Sequence, residues 1–442
     1  MKVNLSVIGL GKLGACIAAC FASKGFNVIG VDTNPNTIKA IQNKKAPIEE
    51  TDLEKLIELS GTRFQVSLDY KYAVENSDIS FIILPTPTLD SGHFSNDYLE
   101  KALTQLALVL KKLNKFHTFV ISSTVSPQST EKILIPLIES ISEKKVNIDF
   151  GVVYNPEFIA LGSVIKDFFN PDIVLIGESN PFVGKQLEKI YLEICENNPY
   201  IARMSIISAE IAKISLNSYI TMKISFANTL ANICEKIPGT DVDQITQAIG
   251  MDKRIAPYYL KGGMPFGGPC FPRDNQAFAA FTKTFDVQAK QAILTDSINQ
   301  EQLYHLLKIV CQQIKKHENT TVCIIGLSYK PNTPVIEESA AINLIKMLLD
   351  KNLAVVAFDP LAMNNVKTLF GETIDYSDSL EDCFSKASIF IITTPDPLFQ
   401  CIDDTYIGNN NCTIIDCWRI LDPIKIPDKC KYIALGKYQM DH

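Results

Sequence analysis

The chain has 442 residues, 46% of them hydrophobic and 21% charged, with a formal net charge of −7. That length holds about two or three domains and a large core, and the composition is that of an ordinary globular protein. The acidic balance argues against a nucleic-acid partner, which needs a basic excess, and no apolar run approaches the roughly 18 residues of a membrane span.

The chain opens with "MKVNLSVIGLGKLGACIAACF". Gly9, Gly11 and Gly14 punctuate the apolar run, which favours a structured first strand over a targeting segment. Gly9-Leu10-Gly11-Lys12-Leu13-Gly14 is a GxGxxG between a strand and a helix. In such a turn the first glycine permits the bend, the second lets the backbone approach a pyrophosphate, and the third allows close helix packing. The helix start adds free N–H groups and a positive dipole end. Asp32 closes the next strand, "FNVIGVDTN". A carboxylate there can accept both ribose hydroxyls and repels a 2′-phosphate, so NAD is expected over NADP. The plainer alternatives are a tight turn without ligand and a helix-capping Asp32. Cys16 and Cys20, one helical turn apart, are expected to be packing residues.

"DISFIILPTPT" and "TFVISSTVS" read as further strands, with helices around 97–112 and 128–142. Short β-branched runs alternating with helices predict a doubly wound parallel sheet. Residues 208–237 contain no Gly or Pro and carry apolar residues at helical spacing. They predict a helix on the order of 45 Å long, ended by Pro238 and Gly239. It serves either as a homodimer face or as an element buried within one subunit. Lys213 and Asn217 share one face of it and together suit a developing oxyanion, or a solvated face.

"GMPFGGPCFPRDN" follows, residues 263–275. Cys270 sits behind a glycine-rich loop and ahead of Arg273 and Asp274, so it is a candidate nucleophile, which needs a stabilised thiolate; a buried thiol is the alternative. From about residue 320 the strand order of the first half returns: "TVCIIGLSYK", "AVVAFDP" with Asp359, "ASIFIITTPDP" and "CTIIDCW". Here the later glycines of the turn are missing, and Lys330 is a candidate phosphate contact or a solvated loop lysine. The expected fold is α/β: two Rossmann-like doubly wound domains joined by a long central helix and a helical dimerisation region. The boundaries are a dinucleotide domain at 1–200, a central helical domain with the cysteine loop at 201–314, and a second Rossmann-like domain at 315–442. Twelve cysteines and five histidines show no CxxC pair and no zinc spacing, so no metal is expected. Reduced thiols imply a cytoplasmic protein.

Several segments in order, "GLGKLG", "PTPT", "SSTVSP", "NPEFIALGS", "AEIAKISLNSYITMKISFAN", "GGPCFPRD", "GLSYKPNT" and "FDP", make the chain resemble the UDP-glucose/GDP-mannose dehydrogenase family nearly end to end. The resemblance implies NAD-dependent four-electron oxidation of a nucleotide-sugar C6 alcohol to the uronic acid, with UDP-glucose to UDP-glucuronate foremost. Other substrates of the family, a UDP-N-acetylhexosamine or GDP-mannose, remain open. It implies that Cys270 carries a thiohemiacetal and then a thioester, that Lys213 and Asn217 stabilise the oxygen, and that Asp274, Thr124 and Glu157 handle water and protons. Leu10, Thr86, Thr124 and Arg273 would join Gly9, Gly11, Gly14 and Asp32 on the cofactor side. Glu157, Phe158, Ile159, Ala160, Lys213, Asn217, Tyr259, Leu260, Gly263, Gly267 and Lys330 would line the sugar-nucleotide site. Arg254 would reach a neighbouring subunit's pocket in a homodimer. The chain departs from the family pattern at Leu161, where an acid is usual, at Ile173, at Arg273 for lysine, at Glu337 and at Trp418, where Asp-Gly-Arg is usual. Two rival readings are a simple hydroxyacid-type dehydrogenase, which needs neither the cysteine nor the second Rossmann domain, and an inactive nucleotide-sugar/NAD-binding protein.

Overall fold

The computed structural model describes residues 3–159, 161–408 and 410–438. The chain divides into two compact units between Ser215 and Leu216. The first is built on an eight-stranded sheet: β1 (Leu5–Ile8), β2 (Val28–Val31), β3 (Phe64–Ser67), β4 (Ile79–Ile82), β5 (His117–Ile121), β6 (Phe150–Tyr154), β7 (Ile173–Glu178) and β8 (Tyr200–Ser205), in the order β3-β2-β1-β4-β5-β6-β7-β8. The strands are parallel through β6. β7 then runs antiparallel to β6, and β8 parallel to β7. Every residue of β1, β2, β4 and β5 is buried, as a sheet covered on both faces requires. Alternate side chains enter opposite cores. Val7, Phe81 and Val120 join one cluster with the helix Gly14–Ser23. Ile8, Ile82 and Phe119 join the other with the helix Asp97–Leu110. Cys16 and Cys20 lie fully inside the first cluster, as packing residues.

One carboxylate completes this unit from far along the chain. Glu210, fully buried, accepts the N–H of Gln128 at 2.6 Å and of Thr130 at 2.9 Å. Thr130 opens a helical segment, so its N–H has no carbonyl of its own helix to bond, and Gln128 lies just ahead of the Ser129 cap position. An anion at this end also suits the helix dipole.

The second unit repeats the arrangement in six strands: β9 (Val322–Ile325), β10 (Val355–Phe358), β11 (Asp375–Tyr376), β12 (Ile389–Ile392), β13 (Cys412–Asp416) and β14 (Cys430–Ala434). The order is β11-β10-β9-β12-β13-β14, parallel throughout. Ile324 and Ile391 enter one core, Cys323 and Phe390 the other. The two Rossmann-like sheets expected from the sequence are both present. The long helix spans Ile206–Cys234, 29 residues, beginning in the first unit and continuing into the second. It stops short of Pro238, and the Thr240 hydroxyl turns back to the carbonyls of Ile237 at 2.6 Å and Cys234 at 2.8 Å. Within the second unit Tyr219, Phe226 and Ile233 leave its surface exposed at seven-residue intervals, which places them on one side of the helix.

At the start of β5 a buried polar chain crosses the first sheet. Ser77 donates to Ser6 at 3.0 Å, Ser6 and Ser80 lie 2.7 Å apart, and Ser80 meets His117 Nε2 at 2.8 Å. Burial, reinforced by the nearby Lys115 charge and partly offset by Asp78, pushes the His117 imidazole down to about 3. The folded state therefore keeps it neutral while the unfolded chain takes a proton near the ordinary value. Stability is lost as the pH falls from about 6.5 toward 3, by on the order of 5 kcal/mol at most. His117→Gln should flatten this slope: in acid titrations followed by circular dichroism, the variant should lose less stability than the parent between about pH 6 and pH 4.

Candidate active site

The glycine turn of the first unit is shaped as its spacing predicts. Gly9 adopts a positive φ of 93°, and a Cβ there would lie 2.3 Å from the Ile83 carbonyl oxygen. A Cβ on Gly14 would lie 1.8 Å from the Gly9 carbonyl oxygen. Gly11 faces open space, the one position of the three where a ligand can approach the backbone. Asp32 accepts the Leu10 N–H at 2.7 Å and the Asn34 N–H at 2.8 Å. Two bonds leave a carboxylate further lone pairs, so Asp32 both steadies the turn and retains capacity for ribose hydroxyls. These residues fit a dinucleotide. Beside them the β4 and β5 loops are tied together: Thr86 donates to the Thr124 carbonyl at 2.6 Å, and Ser123 bonds both the N–H and the carbonyl of Leu84 at 2.8 Å.

The segment after β6 carries Glu157. Burial pushes its carboxyl up to about 7, while the Tyr191 hydroxyl at 2.9 Å and the Lys213 charge pull it back. Lys213 is itself buried, with its ammonium 4.6 Å from the centre of the Phe158 ring, a favourable cation–π contact. Glu157, Phe158 and Lys213 thus form one group. Ile159 and Leu161 pack against the first core. Where the family pattern has an acid at 161, this chain has an apolar contact. The loop is pinned instead by Glu50, which accepts the N–H groups of Gly162 at 2.8 Å and Val164 at 3.1 Å. Ile173 opens β7 and packs on the second core. Ala160 lies outside the described residues.

In the second unit Cys270 stands at the N-cap of the helix Phe271–Lys283, with its side chain exposed. Pro272 in the first turn costs no hydrogen bond there, and the positive end of a helix favours negative charge on the sulfur. Asp274, in the same turn, is buried. One oxygen accepts the Asn217 amide N–H at 2.6 Å; the other lies 3.5 Å from Arg273 Nε without hydrogen-bond geometry. The next residues repeat the tie: Ser218 donates to Asn275 at 2.7 Å, and Asn275 donates to Asp296 at 2.7 Å. The approach to Cys270 is fixed as well. Asn228 accepts the Gly263 N–H at 2.8 Å, Gln302 donates to the Gly263 carbonyl at 2.6 Å, and Asn299 bonds both backbone groups of Phe266.

Gly263 and Gly267 owe their identity to close approach by the chain itself: added Cβ atoms would lie 2.3 Å from the Cys417 carbonyl oxygen and 2.1 Å from that of Glu338. Gly267 also lines a small cleft with Met264, Ser328, Tyr329, Thr393 and Trp418. Trp418 is held by its indole N–H, which donates to the Thr393 carbonyl at 2.8 Å. Lys330 is half-buried, its ammonium 6.0 Å from the Tyr329 ring centre. Tyr259 stacks edge-on to Phe271, and Leu260 is buried beside it in sequence. Arg254 stays at the surface on a bidentate pair with Asp252, 2.7 Å at closest. Glu337 is exposed.

Sequence reasoning missed several residues. Arg419 is almost fully buried, grips Asp243 with two nitrogens and donates to the carbonyls of Gly262 and Leu435. Its partners lie far off in sequence, and no local pattern announces them. Asn155 and Tyr191, which meet at 2.6 Å, also went unread; Asn155 stands in the quoted "NPEF", whereas Tyr191 looks like core. The glycine geometry separates two variants. Gly11→Ala should keep its thermal midpoint close to the parent's yet bind NAD at least about tenfold more weakly by calorimetry. Gly14→Ala should lose on the order of 2 kcal/mol or more in denaturant titration, because the added methyl meets backbone.

Comparison with known proteins matches three successive profiles of one family to this chain. They are the UDP-glucose/GDP-mannose dehydrogenase NAD binding domain over residues 3–195, the central domain over 207–301 and the UDP binding domain over 323–423. A UDP-glucose 6-dehydrogenase of Haloferax volcanii is 33% identical over 95% of this chain and 97% of its own length. A GDP-mannose 6-dehydrogenase of Pseudomonas aeruginosa is 32% identical over 94% and 93%. The solved structure of a UDP-glucose dehydrogenase from Pyrobaculum islandicum superimposes with a TM-score of 0.90, at 26% identity, covering 99% of this chain and 98% of that one. The glycine turn, the cysteine loop and most of the second Rossmann-like sheet, up to β13, thus fall within matched domains, and the chain belongs to the UDP-glucose/GDP-mannose dehydrogenase family, with its NAD-binding domain at the N-terminal end.

Proposed function

We propose that the chain oxidises the C6 alcohol of a nucleotide sugar to the carboxylate in two steps, with UDP-glucose as substrate and UDP-glucuronate as product. The turn of Gly9, Gly11 and Gly14, with Asp32, would hold NAD, which would supply the hydride acceptor for each oxidation. The first oxidation gives the C6 aldehyde level and releases the alcohol proton. Cys270 sulfur adds to that carbon as a thiohemiacetal, and the second oxidation leaves a thioester on Cys270. Water then cleaves the thioester, restoring the thiol and freeing the carboxylate. Covalent attachment divides a hard oxidation into easier steps. Lys213 and Asn217 would stabilise the oxygen as charge develops, and Asp274, Thr124 and Glu157 would move protons and orient the water.

One observation carries this reading: an exposed cysteine caps a helix whose first turn holds a buried carboxylate fastened to Asn217. A uridine nucleotide is supported by the match to the UDP binding domain and by the relatives that act on UDP-glucose. GDP-mannose is the runner-up, because relatives of nearly equal identity carry that name. The nucleotide would lie against the cleft of Gly267, Tyr329 and Trp418, with Lys330 near the phosphates. A homodimer is supported by the exposed Tyr219, Phe226 and Ile233, and by Arg254, which projects from the surface. No helix among the described residues is long and apolar enough to cross a membrane. All twelve cysteines are thiols rather than disulfides, which suits a cytoplasmic enzyme.

With excess NAD and limiting UDP-glucose, the purified protein should give about two NADH per sugar, and Cys270→Ala should yield no uronic acid. One NADH per sugar, with the variant unimpaired, would sink the cysteine mechanism. Turnover of GDP-mannose or a UDP-N-acetylhexosamine in place of UDP-glucose would reassign the substrate. Silence with every sugar nucleotide would leave a binding protein. Phe226→Glu should shift a dimer toward monomer in sedimentation at micromolar concentration, since burying a charge in such an interface costs several kcal/mol or about a thousandfold in association.

A further inference from the structure

Tyr191 lies on the helix Pro181–Ile194 among Val183, Leu187, Ile190 and Ile194, all buried on the same face. It fills space like a core aromatic, yet its hydroxyl meets two acceptors. Asn155 Oδ1 is 2.6 Å away and Glu157 Oε1 is 2.9 Å away. The Asn155 amide nitrogen donates to the Leu175 carbonyl at 2.9 Å. That bond fixes the amide with its oxygen toward the tyrosine.

A hydroxyl has one proton to give. With Glu157 ionised, Tyr191 faces two acceptors and can fully serve only one. With Glu157 protonated, the chain closes: the carboxylic O–H donates to the Tyr191 oxygen, and Tyr191 donates to Asn155. Each protonation state therefore has its own hydrogen-bond direction, and one rotation of a buried O–H converts one into the other. The remaining groups around Glu157 are few. Lys213 supplies a positive charge, and the thiols of Cys20 and Cys195 lie close enough to interact with the carboxyl. Burial raises both thiols, Cys195 to about 11, so neither competes for the proton near neutrality.

We propose that Tyr191 and Asn155 are positioning residues for Glu157. The tyrosine hydroxyl turns between amide and carboxyl, holding Glu157 in place in both protonation states and setting the pH at which it exchanges its proton. The proposal rests on the reading of Glu157 as a proton carrier in turnover. The two partners act in opposite senses. Tyr191 is the donor that supports ionised Glu157; Asn155 is the acceptor that draws this donor away.

The test uses the full-length protein from about pH 5 to pH 10, with two readouts. One is kcat and KM against pH with NAD and the sugar nucleotide that is turned over. The other is an infrared titration of the carboxylic C=O stretch, assigned to Glu157 by its loss in Glu157→Gln. Tyr191→Phe should move both the acid limb of kcat and the infrared midpoint up by about one pH unit. Its kcat should fall about tenfold near pH 6 and less than about twofold near pH 9, with KM unchanged. Asn155→Leu should move both midpoints down. A uniform loss of kcat at every pH, or an infrared midpoint unmoved in Tyr191→Phe, would overturn the proposal, as would shifts of both variants in one direction. If Glu157→Gln keeps full activity and an intact limb, the proton-carrier reading fails instead, and the infrared midpoints alone decide whether Tyr191 and Asn155 govern the carboxyl. Tyr191→Phe preserves the ring, so the test survives if Asn155→Leu fails to fold.

Discussion

The cysteine loop depends on two adjacent polar ties between helices. Asn217 holds Asp274 and Ser218 holds Asn275, at 2.6 and 2.7 Å, on consecutive residues of each partner. Both ties are buried, so breaking either strands polar groups away from water, at roughly 1–3 kcal/mol each. Consecutive ties also restrict sliding and rotation more than a single one can. The helix start beneath Cys270 inherits that precision. The loop ahead of it is fixed by Asn228, Gln302 and Asn299 through backbone groups. A side chain placed this way needs little further ordering, and orientation fixed in advance is what lowers a barrier where such a group reacts.

The two Rossmann-like sheets use the acid at the end of their second strand differently. Asp32 and Asp359 occupy matching places at the ends of β2 and β10. Asp32 is half-buried and accepts two N–H groups. Asp359 is buried and accepts from Leu327, Ser328, Leu361 and Ala362, with the Ser328 hydroxyl as well. Its acceptor capacity is consumed by its own turn. A ribose would find acceptor capacity to spare on the first carboxylate and little on the second. The missing glycines and the saturated carboxylate are two faces of the same divergence.

Much of this was legible in the sequence because the signals are local. Buried parallel strands read as short apolar runs, and the repeat of strand, turn and acid marked the second sheet. The glycine turn carries its reasons in its spacing: Gly9 for conformation, Gly14 for packing, Gly11 for approach. Lys213, Asn217, Cys270 and Asp274 stand out as candidates by residue type on a helix face or behind a loop. What escaped notice depends on contacts distant in sequence. Tyr191 follows the apolar rhythm of its helix and cannot be told from core until Asn155 and Glu157 are seen beside it. Arg419 meets Asp243 across 176 positions. The long helix ends at Cys234, a few residues short of the Pro238 and Gly239 that the sequence marks as its stop.

Glu210 has a consequence for where the NAD domain ends. The matched profile stops at residue 195, yet the carboxylate that completes the helical segment at Thr130 comes from residue 210. The matched domain and the compact unit are therefore not the same length of chain. A gene fragment cut at the module boundary would encode every strand of β1 through β7 and the whole glycine turn. It would lack β8 and leave the N–H groups of Gln128 and Thr130 without the Glu210 acceptor. Recombination that treats this domain as an exchangeable part must carry the first turns of the long helix with it, and so ties the inheritance of Lys213 to that of the cofactor fold.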